Sequence, residues 1–271
     1  MKKLENVLKN HKIDHFGCVS FQHLNTFDVR SKAKIPPDCQ GAIAIIFPYY
    51  NKSATLGNVS AYCAVEDYHL VVGMKLKSIC EDLKSLYPDY NFVPFVDASP
   101  IDEVDLCVKA GLGIKGKNSL LITPWYGSFV FIGEVLTDMP LDTVLFSPDF
   151  CIDCGACAKA CPGGAIGEGG ILKERCASFI SQKKGELTQE QTQILTGANT
   201  VFGCDICQMV CPYNKPLLTS ALAMEKNLFS ENIVNRVDKQ ILEGEYKSRA
   251  FGFRGEKVLQ RNLQLWEKHN L

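Results

Sequence analysis

The sequence predicts a mixed α/β domain, of the α+β or α/β class, followed by a bacterial-ferredoxin-like module with two clusters and a short helical tail. Three observations predict it. Amphipathic helices and apolar strands alternate over residues 1–146, eight cysteines in cluster-type spacing lie within 147–216, and a basic helical pattern covers 217–271. A chain of 271 residues that is 46% hydrophobic can form one main core with a smaller module attached.

The first elements follow from the spacing of apolar residues. Residues 3–12 predict a short helix, and 15–20 and 41–49 predict strands. The second strand is a continuous apolar run, which is typical of a strand buried on both faces. Over residues 61–87 the apolar side chains recur every three or four positions, which predicts one long amphipathic helix.

The next elements lead to the cysteine-rich module. Residues 91–97, "NFVPFVD", predict a strand, and 102–110 predict a helix that ends at Gly111, a suitable C-terminal cap. The segment 119–137 reads as two apolar runs around the turn "PWYG". That pattern predicts a β-hairpin.

Composition excludes several classes of protein. The net charge of −1 provides no global field that would attract nucleic acid. Charged residues interrupt the N-terminus at once, unlike a signal peptide, and no apolar run approaches the ~18 residues of a membrane span. We therefore expect a cytoplasmic protein with no membrane partner. Thirteen cysteines in such a protein indicate metal binding rather than disulfides.

The segment "CIDCGACAKACPGG" has the spacing C-x2-C-x2-C-x3-C-P. Bacterial ferredoxins use this spacing, and the fourth cysteine ligates the other cluster of the pair. Three thiolates on a tight loop reach three corners of a cubane, so the fourth corner needs a thiolate from elsewhere. The segment "GCDICQMVCP" supplies three more cysteines, and one further cysteine lies between the two motifs.

The spacing therefore predicts two [4Fe–4S] clusters with four ligands each. The first cluster has the ligands Cys151, Cys154, Cys157 and Cys211. The second has the ligands Cys161, Cys176, Cys204 and Cys207. Two structural zinc sites are the alternative, because C-x2-C pairs also bind zinc.

The segment "GLGIKG", residues 111–116, matches the glycine pattern of dinucleotide-binding sites. In those sites the pattern follows a strand and opens a helix, whereas here it follows a predicted helix and precedes a strand. A dinucleotide site is therefore not expected. With the donors of Lys117, Asn118 and Ser119, the loop could instead hold a large polar cofactor. A carrier capable of two-electron chemistry would complement one-electron clusters.

Several segments together resemble the epoxyqueuosine reductase family over about residues 40–262. They are "YCAVEDYH", the run from "VDASPIDEVDL" to "IGEVLTDMPL", the eight-cysteine module and the tail "FRGEKVLQRN". The resemblance implies a cobalamin-dependent enzyme with two [4Fe–4S] clusters, related to reductive dehalogenases. It would reduce the epoxide of epoxyqueuosine to the alkene of queuosine at the tRNA anticodon wobble position.

The resemblance also implies roles for individual residues. Asp97 would be the proton donor and would lie at the cofactor. The other residues expected near the corrin ring are Lys117, Asn118, Ser119, Tyr126, Gly127, Ser128, Gly203 and Asp205. Asp97 follows an apolar strand, and a carboxyl in a poorly solvated pocket has a raised pKa and can donate a proton. Alternatively, Asp97 caps the following helix.

Family members of usual length continue past "QRN" into helical repeats that grip tRNA, whereas this chain ends at Leu271, so it resembles a short form. The basic tail includes Arg254, Lys257 and Arg261, which would contact an anticodon stem-loop. A solvated helix face is the alternative for this tail. The other expected features are an external low-potential electron donor and a monomeric state.

Two further functions remain open at this point. The chain could be a cobalamin and iron–sulfur reductase of another, small-molecule substrate. It could also be an iron–sulfur electron-transfer protein without catalysis, although the long N-terminal domain and the Asp97 segment argue against that function.

Overall fold

The computed structural model of the chain describes residues 2–27, 30–141, 151–219, 228–229 and 232–270. The strands are β1 (Phe16–Ser20), β2 (Gly41–Pro48), β3 (Phe92–Phe95), β4 (Ile114–Lys115), β5 (Leu121–Ile122), β6 (Val130–Thr137), β7 (Ile166–Gly167) and β8 (Gly170–Ile171). The helices are α1 (Lys2–Asn10), α2 (Ala61–Ala64), α3 (Tyr68–Leu86), α4 (Glu103–Lys109), α5 (Ala156–Ala160), α6 (Ala177–Ser181), α7 (Gln189–Gly197), α8 (Ile206–Met209), α9 (Lys215–Thr219), α10 (Lys239–Glu243) and α11 (Glu256–Asn270).

The main sheet has the strand order β1-β2-β6-β3, and each neighbouring pair is antiparallel. Helices α1 and α3 cover one face, and α4 covers the other. Strand β2 is buried on both faces, because Ile43 and Ile45 lie in one core and Ala42 and Ala44 in the other. This burial explains its continuous apolar sequence and confirms the prediction of a buried strand and of a mixed α/β domain.

The single long helix predicted over residues 61–87 is wrong, because it is divided into α2 and α3. Val65 is extended, and the side chain of Asp67 caps α3 by accepting a hydrogen bond from the backbone N–H of His69 at 3.0 Å. A cap of this kind satisfies an N–H that has no partner within the helix. Apolar spacing continues across the break, so periodicity alone does not detect it.

The hairpin predicted over residues 119–137 is also wrong. Strand β5 pairs with β4, whereas β6 pairs with β2 and β3, and only an isolated bridge joins Thr123 to Gly127. Alternation of apolar residues indicates which face of a strand is buried, but it does not identify the neighbouring strand. The neighbours of β6 are distant in sequence, so the local pattern could not predict them.

The C-terminal part of the chain packs against the N-terminal domain. Val237, Phe251, Leu259 and Leu263 belong to the same core as the sheet and α3. The cysteine-rich module has a separate small core, formed by Ala177, Ile180, Ile194 and Leu195. The predicted boundary between residues 146 and 147 lies outside the described residues, and the boundary at 216 remains a prediction. None of the described helices has the length and apolar character needed to cross a membrane.

Candidate functional site

A cavity of about 400 Å³ lies where the sheet, the start of α4 and the cysteine-rich module meet. Its walls include apolar side chains of β6, namely Val130, Phe131 and Ile132. Four of the residues that the sequence assigned to the cofactor site line it: Asp97, Asn118, Ser128 and Asp205. The same cavity is lined by the four thiols predicted to bind the second cluster, Cys161, Cys176, Cys204 and Cys207.

A second, much smaller cavity of about 20 Å³ is lined by the other four cysteines, Cys151, Cys154, Cys157 and Cys211. The eight thiols thus divide between two cavities in the same two groups that the spacing predicts. Among the described residues, no three His, Cys, Asp or Glu side chains are arranged to hold one metal ion. The thiolates around a cubane bond to different irons, so they need not converge on one point. Their roles as ligands remain predictions.

Burial makes the thiols of the large cavity difficult to ionise without a metal. It raises the pKa of Cys204 and of Cys207 to about 12, and neighbouring thiols such as Cys176 act in the same direction. Four adjacent thiolates in such a site require a positively charged partner. Metal binding supplies that partner and is coupled to the loss of the thiol protons.

Asp97 lies at the exposed edge of the large cavity on a tight loop. Its φ is 54° and that of Ala98 is 44°, in the left-handed region that Asp adopts more readily than most residues. Its Oδ2 accepts a hydrogen bond from the hydroxyl of Tyr68 at 3.1 Å and lies 3.4 Å from Nε2 of His69. The backbone N–H of Ala98 donates to its Oδ1 at 2.7 Å.

These contacts show that the expected rise in the pKa of Asp97 is wrong. The contact with His69 is the largest influence and, with the N–H of Ala98, outweighs burial, so the pKa of Asp97 falls to about 2. The pKa of His69 is raised, chiefly by the same contact. The proton of this pair therefore resides on the imidazole. Asp97 is not a helix cap, because Asp102 caps α4.

His69 is held between two carboxylates. Its Nδ1 lies 2.7 Å from Oδ1 of Asp67, and its Nε2 faces Asp97. The neighbouring Tyr68 stacks on Phe131, with ring centroids 4.4 Å apart. The Asp-Tyr-His segment has no evident role in the sequence, because its proximity to Asp97 arises only when α3 packs against β3.

A network of buried side chains forms the floor of the cavity. Asp205 accepts hydrogen bonds from the hydroxyl of Ser60 at 2.5 Å, from the N–H of Ala61 at 2.6 Å and from Nε2 of Gln208 at 3.0 Å. The hydroxyl of Ser128 donates to Oε1 of Gln208 at 2.9 Å. The side chains of Asp205 and Ser128 therefore join the cysteine-rich module to the N-terminal domain.

The remaining predicted cofactor residues do not line the large cavity: Lys117, Ser119, Tyr126, Gly127 and Gly203. Lys117 lines the small cavity and donates to Asp153 at 2.6 Å. Gly127 and Gly203 have positive φ, and a Cβ would collide with Asn214 and Ser60, respectively. These glycines are required by backbone geometry, which the pattern of the sequence did not distinguish from cofactor contact.

One carboxylic acid of the cavity wall is not identified by the sequence analysis. Glu103, the first residue of α4, lines the cavity together with Asp97. Burial, with the charges of Asp97 and Asp102, raises its pKa to about 7. The acidic segment "DEVD" is the signal in the sequence, but it also fits the start of a helix, which is what the pattern predicts.

Two parts of the chain match known protein families. Residues 30–98 match the family model described as "Epoxyqueuosine reductase QueG, DUF1730". Residues 150–214 match the model of a 4Fe-4S double cluster binding domain, so the chain contains such a domain.

Three curated relatives are named epoxyqueuosine reductase. The relative from Listeria monocytogenes is 32% identical over 82% of this chain and 61% of its own length. The relative from Lactococcus garvieae is 31% identical over 90% and 73%, respectively. The relative from Cyclobacterium marinum is 35% identical over 79% and 70%. This chain thus spans less than two thirds of the Listeria relative.

Two solved structures show the same fold. An epoxyqueuosine reductase in complex with a tRNA-Tyr stem-loop that carries epoxyqueuosine has a TM-score of 0.80 and 25% identity, over 99% of this chain and 80% of that one. The enzyme from Bacillus subtilis, with its catalytic aspartate loop swung out of the active site, has a TM-score of 0.79 and 26% identity, over 99% and 82%.

Proposed function

Because the chain belongs to the epoxyqueuosine reductase family, as its identity to the Cyclobacterium relative over 70% of that protein establishes, we propose that it reduces epoxyqueuosine to queuosine in tRNA. One observation carries the proposal. The Asp97 site and the four thiols of the second group, which include Cys204, line one cavity. A proton-transferring group and an electron-transferring group would therefore face the same bound molecule.

The reaction removes an epoxide oxygen as water. Two electrons and two protons are consumed, both carbon–oxygen bonds break, and a carbon–carbon double bond forms. We assign the electron path to two [4Fe–4S] clusters. The group of Cys151, Cys154, Cys157 and Cys211 would accept electrons from an external low-potential donor, because Cys154 is exposed. The group that lines the large cavity would deliver them.

The residues of the large cavity suit cobalamin, a macrocycle with amide side chains. Apolar side chains such as Phe131 and Ile132 offer a surface for the ring, and the polar groups of Asn118 and Tyr62 could bond to amides. Cobalamin, when bound, supplies a cobalt centre that passes electrons to the epoxide. Within this chain, Asn118 also contacts the thiol of Cys207, so it would connect the cofactor to the second cluster.

We assign proton delivery to the pair of Asp97 and His69. His69 carries the proton, and Asp67 on its other nitrogen keeps Nε2 directed at Asp97. A proton that passes from Nε2 to Oδ2 makes Asp97 the acid that the epoxide oxygen meets. The Tyr68 hydroxyl, which donates to the same Oδ2, would hold the carboxyl in place.

The RNA contact is proposed for the C-terminal basic residues, with one revision. Arg261 is not available to phosphate, because its guanidinium donates to the carbonyl of Lys183 at 2.8 Å and to that of Gly185. Lys257 is exposed, and Arg254 lies over the ring of Phe253 at 4.4 Å. These two cations are the proposed contacts. We further propose that the protein acts as a monomer in the cytoplasm, where tRNA is modified.

The test is anaerobic reconstitution with iron, sulfide and cobalamin, followed by assay with a chemical low-potential reductant. The substrate is an anticodon stem-loop that carries epoxyqueuosine, and the control is the unmodified stem-loop. We expect queuosine among the nucleosides released by digestion. If both clusters and cobalamin are bound and reducible but no queuosine forms, a reductase of another, small-molecule substrate becomes the better assignment.

A further inference from the structure

The proposed reaction needs more protons than the Asp97 site holds. Two protons leave with the oxygen in each turnover, but the pair of Asp97 and His69 shares a single proton. A second acid in the same cavity would complete the set without waiting for water to enter. The need for a second acid rests on the proposed function, but the acid and the reaction can be tested separately.

Glu103 occupies the position that such an acid requires. It lines the large cavity together with Asp97, on the wall formed by the start of α4. Capping of α4 does not need it, because Oδ1 of Asp102 accepts the N–H groups of Val104 at 3.1 Å and Asp105 at 3.0 Å. The carboxyl of Glu103 is therefore not the cap of α4.

The surroundings of Glu103 favour its neutral form. The titratable groups that act on it, or on which it acts, are Asp97, Asp102, Glu134, Tyr68 and Cys107. None of these groups carries a positive charge in either protonation state, and the imidazole of His69 pairs with Asp97. The described residues that line the cavity include no Lys, Arg or His. Burial and the charges of Asp97 and Asp102 raise its pKa to about 7, so the carboxyl exchanges its proton close to neutral pH.

We propose that Glu103 is a second catalytic acid, which supplies one of the two protons that convert the epoxide oxygen to water. Two electrons would come from the external low-potential donor. The two carbon–oxygen bonds break and the double bond forms between the two carbons. The oxygen takes one proton from the pair of Asp97 and His69 and the other from Glu103. Glu103 then regains its proton from solvent.

The test compares Glu103→Gln with Asp105→Asn in the holoenzyme. Asp105 is a matched control, because it lies on the same helix, does not line the cavity and pairs with Lys109 at 2.7 Å. Glutamine keeps the size and polarity of Glu103 but has no proton to donate. Glu103→Asp restores the acid with a shorter side chain and should recover part of the lost rate.

The kinetic measurement is kcat on the epoxyqueuosine stem-loop as a function of pH. Both acids must be protonated, so wild-type log kcat should fall above neutral pH with a slope near two. In Glu103→Gln we expect kcat to fall by about 10²-fold or more with KM unchanged. The remaining slope should be near one, from the pair of Asp97 and His69. Wild-type kcat and slope in this variant would overturn the proposal.

A second measurement does not depend on turnover. Infrared difference spectra of the holoenzyme detect protonated carboxyl groups as the pH is changed. We expect one carboxyl that titrates near pH 7 in the wild type and in Asp105→Asn and is missing in Glu103→Gln. If the wild type lacks turnover but shows this carboxyl, the proposed reaction is wrong and the proton-holding site stands. If Glu103→Gln leaves the titration unchanged, the assignment to Glu103 is wrong.

Discussion

The hydroxyl of Ser99 donates a hydrogen bond to Oε2 of Glu134 and thereby joins the loop that carries Asp97 to the centre of the sheet. Glu134 lies on β6 opposite Phe95 of β3, and it is only 1% exposed. Its other oxygen, Oε1, has no hydrogen-bond partner within the described part of the chain. Burial raises the pKa of Glu134 well above its usual value and so favours the neutral form of the carboxyl.

We predict that Ser99→Ala destabilises the protein by about 1–3 kcal/mol, the cost of leaving a buried polar group without a partner. Glu134→Gln should have a smaller effect, because the amide is also neutral and its oxygen can accept from Ser99. Apparent free energies of unfolding from anaerobic urea titrations measure both. The control is Ser85→Ala, which removes an exposed hydroxyl on α3. Equal losses for Ser99→Ala and Ser85→Ala would refute the prediction.

The two groups of thiols should be separable by single substitutions. The wild type should bind about eight irons per chain, and Cys176→Ala and Cys211→Ala should each retain about four, from different clusters. Anaerobic iron and sulfide analysis with electron paramagnetic resonance of the reduced proteins measures this. Cys80→Ala is the control, because this buried thiol belongs to neither cavity. Stoichiometric zinc without iron would favour the zinc alternative.

Asp97→Asn should retain iron and cobalamin but lose turnover by about 10²–10⁴-fold, the usual effect of removing a general acid. Asn is the suitable replacement because it tolerates the left-handed backbone at this position. The measurement is kcat on the modified stem-loop, with the exposed Asp89→Asn as control. Near-normal turnover would remove Asp97 from the mechanism, and loss of folding would give it a structural role.

The contact between His69 and Asp97 should make the stability of the protein depend on pH. The pKa of His69 is higher in the folded protein than its ordinary value. The contact with Asp97 therefore gives its full stabilisation at pH values below the ordinary histidine pKa. This stabilisation is lost as the pH rises through the raised pKa. In Asp97→Asn the pKa of His69 should fall, because its largest favourable partner is gone. Nuclear magnetic resonance titration of isotope-labelled histidine measures the change. An unchanged pKa would show that Asp67 alone determines it.

The proposed RNA contacts distinguish Lys257 from Arg261. Replacing Arg254 and Lys257 together with Ala should raise KM on the stem-loop and flatten its dependence on salt, because fewer counterions are released on binding. Arg261→Ala should instead lower stability, because two backbone carbonyls lose their donor. Lys77→Ala, on the exposed side of α3, is the control for charge. If the double variant behaves like this control, the basic residues form only a solvated helix face.

The sequence by itself determined the features that depend on neighbours along the chain. The spacing of cysteines predicted the division into two groups of four, because a tight loop reaches only three corners of a cubane. The unbroken apolar run of β2 predicted burial on both faces, which the two cores confirm. Residue pattern also identified the Asp97 segment and the family, since both rest on short contiguous motifs.

The tertiary structure alone decided the features that depend on contacts through space. The pKa of Asp97 is lowered rather than raised because α3 brings His69, distant in sequence, against it. Glu103 becomes a cavity residue, and Arg261 is committed to backbone carbonyls, through packing that no local pattern reveals. Electrostatic and hydrogen-bond energies depend on distance and burial, and the chain acquires both only when it folds.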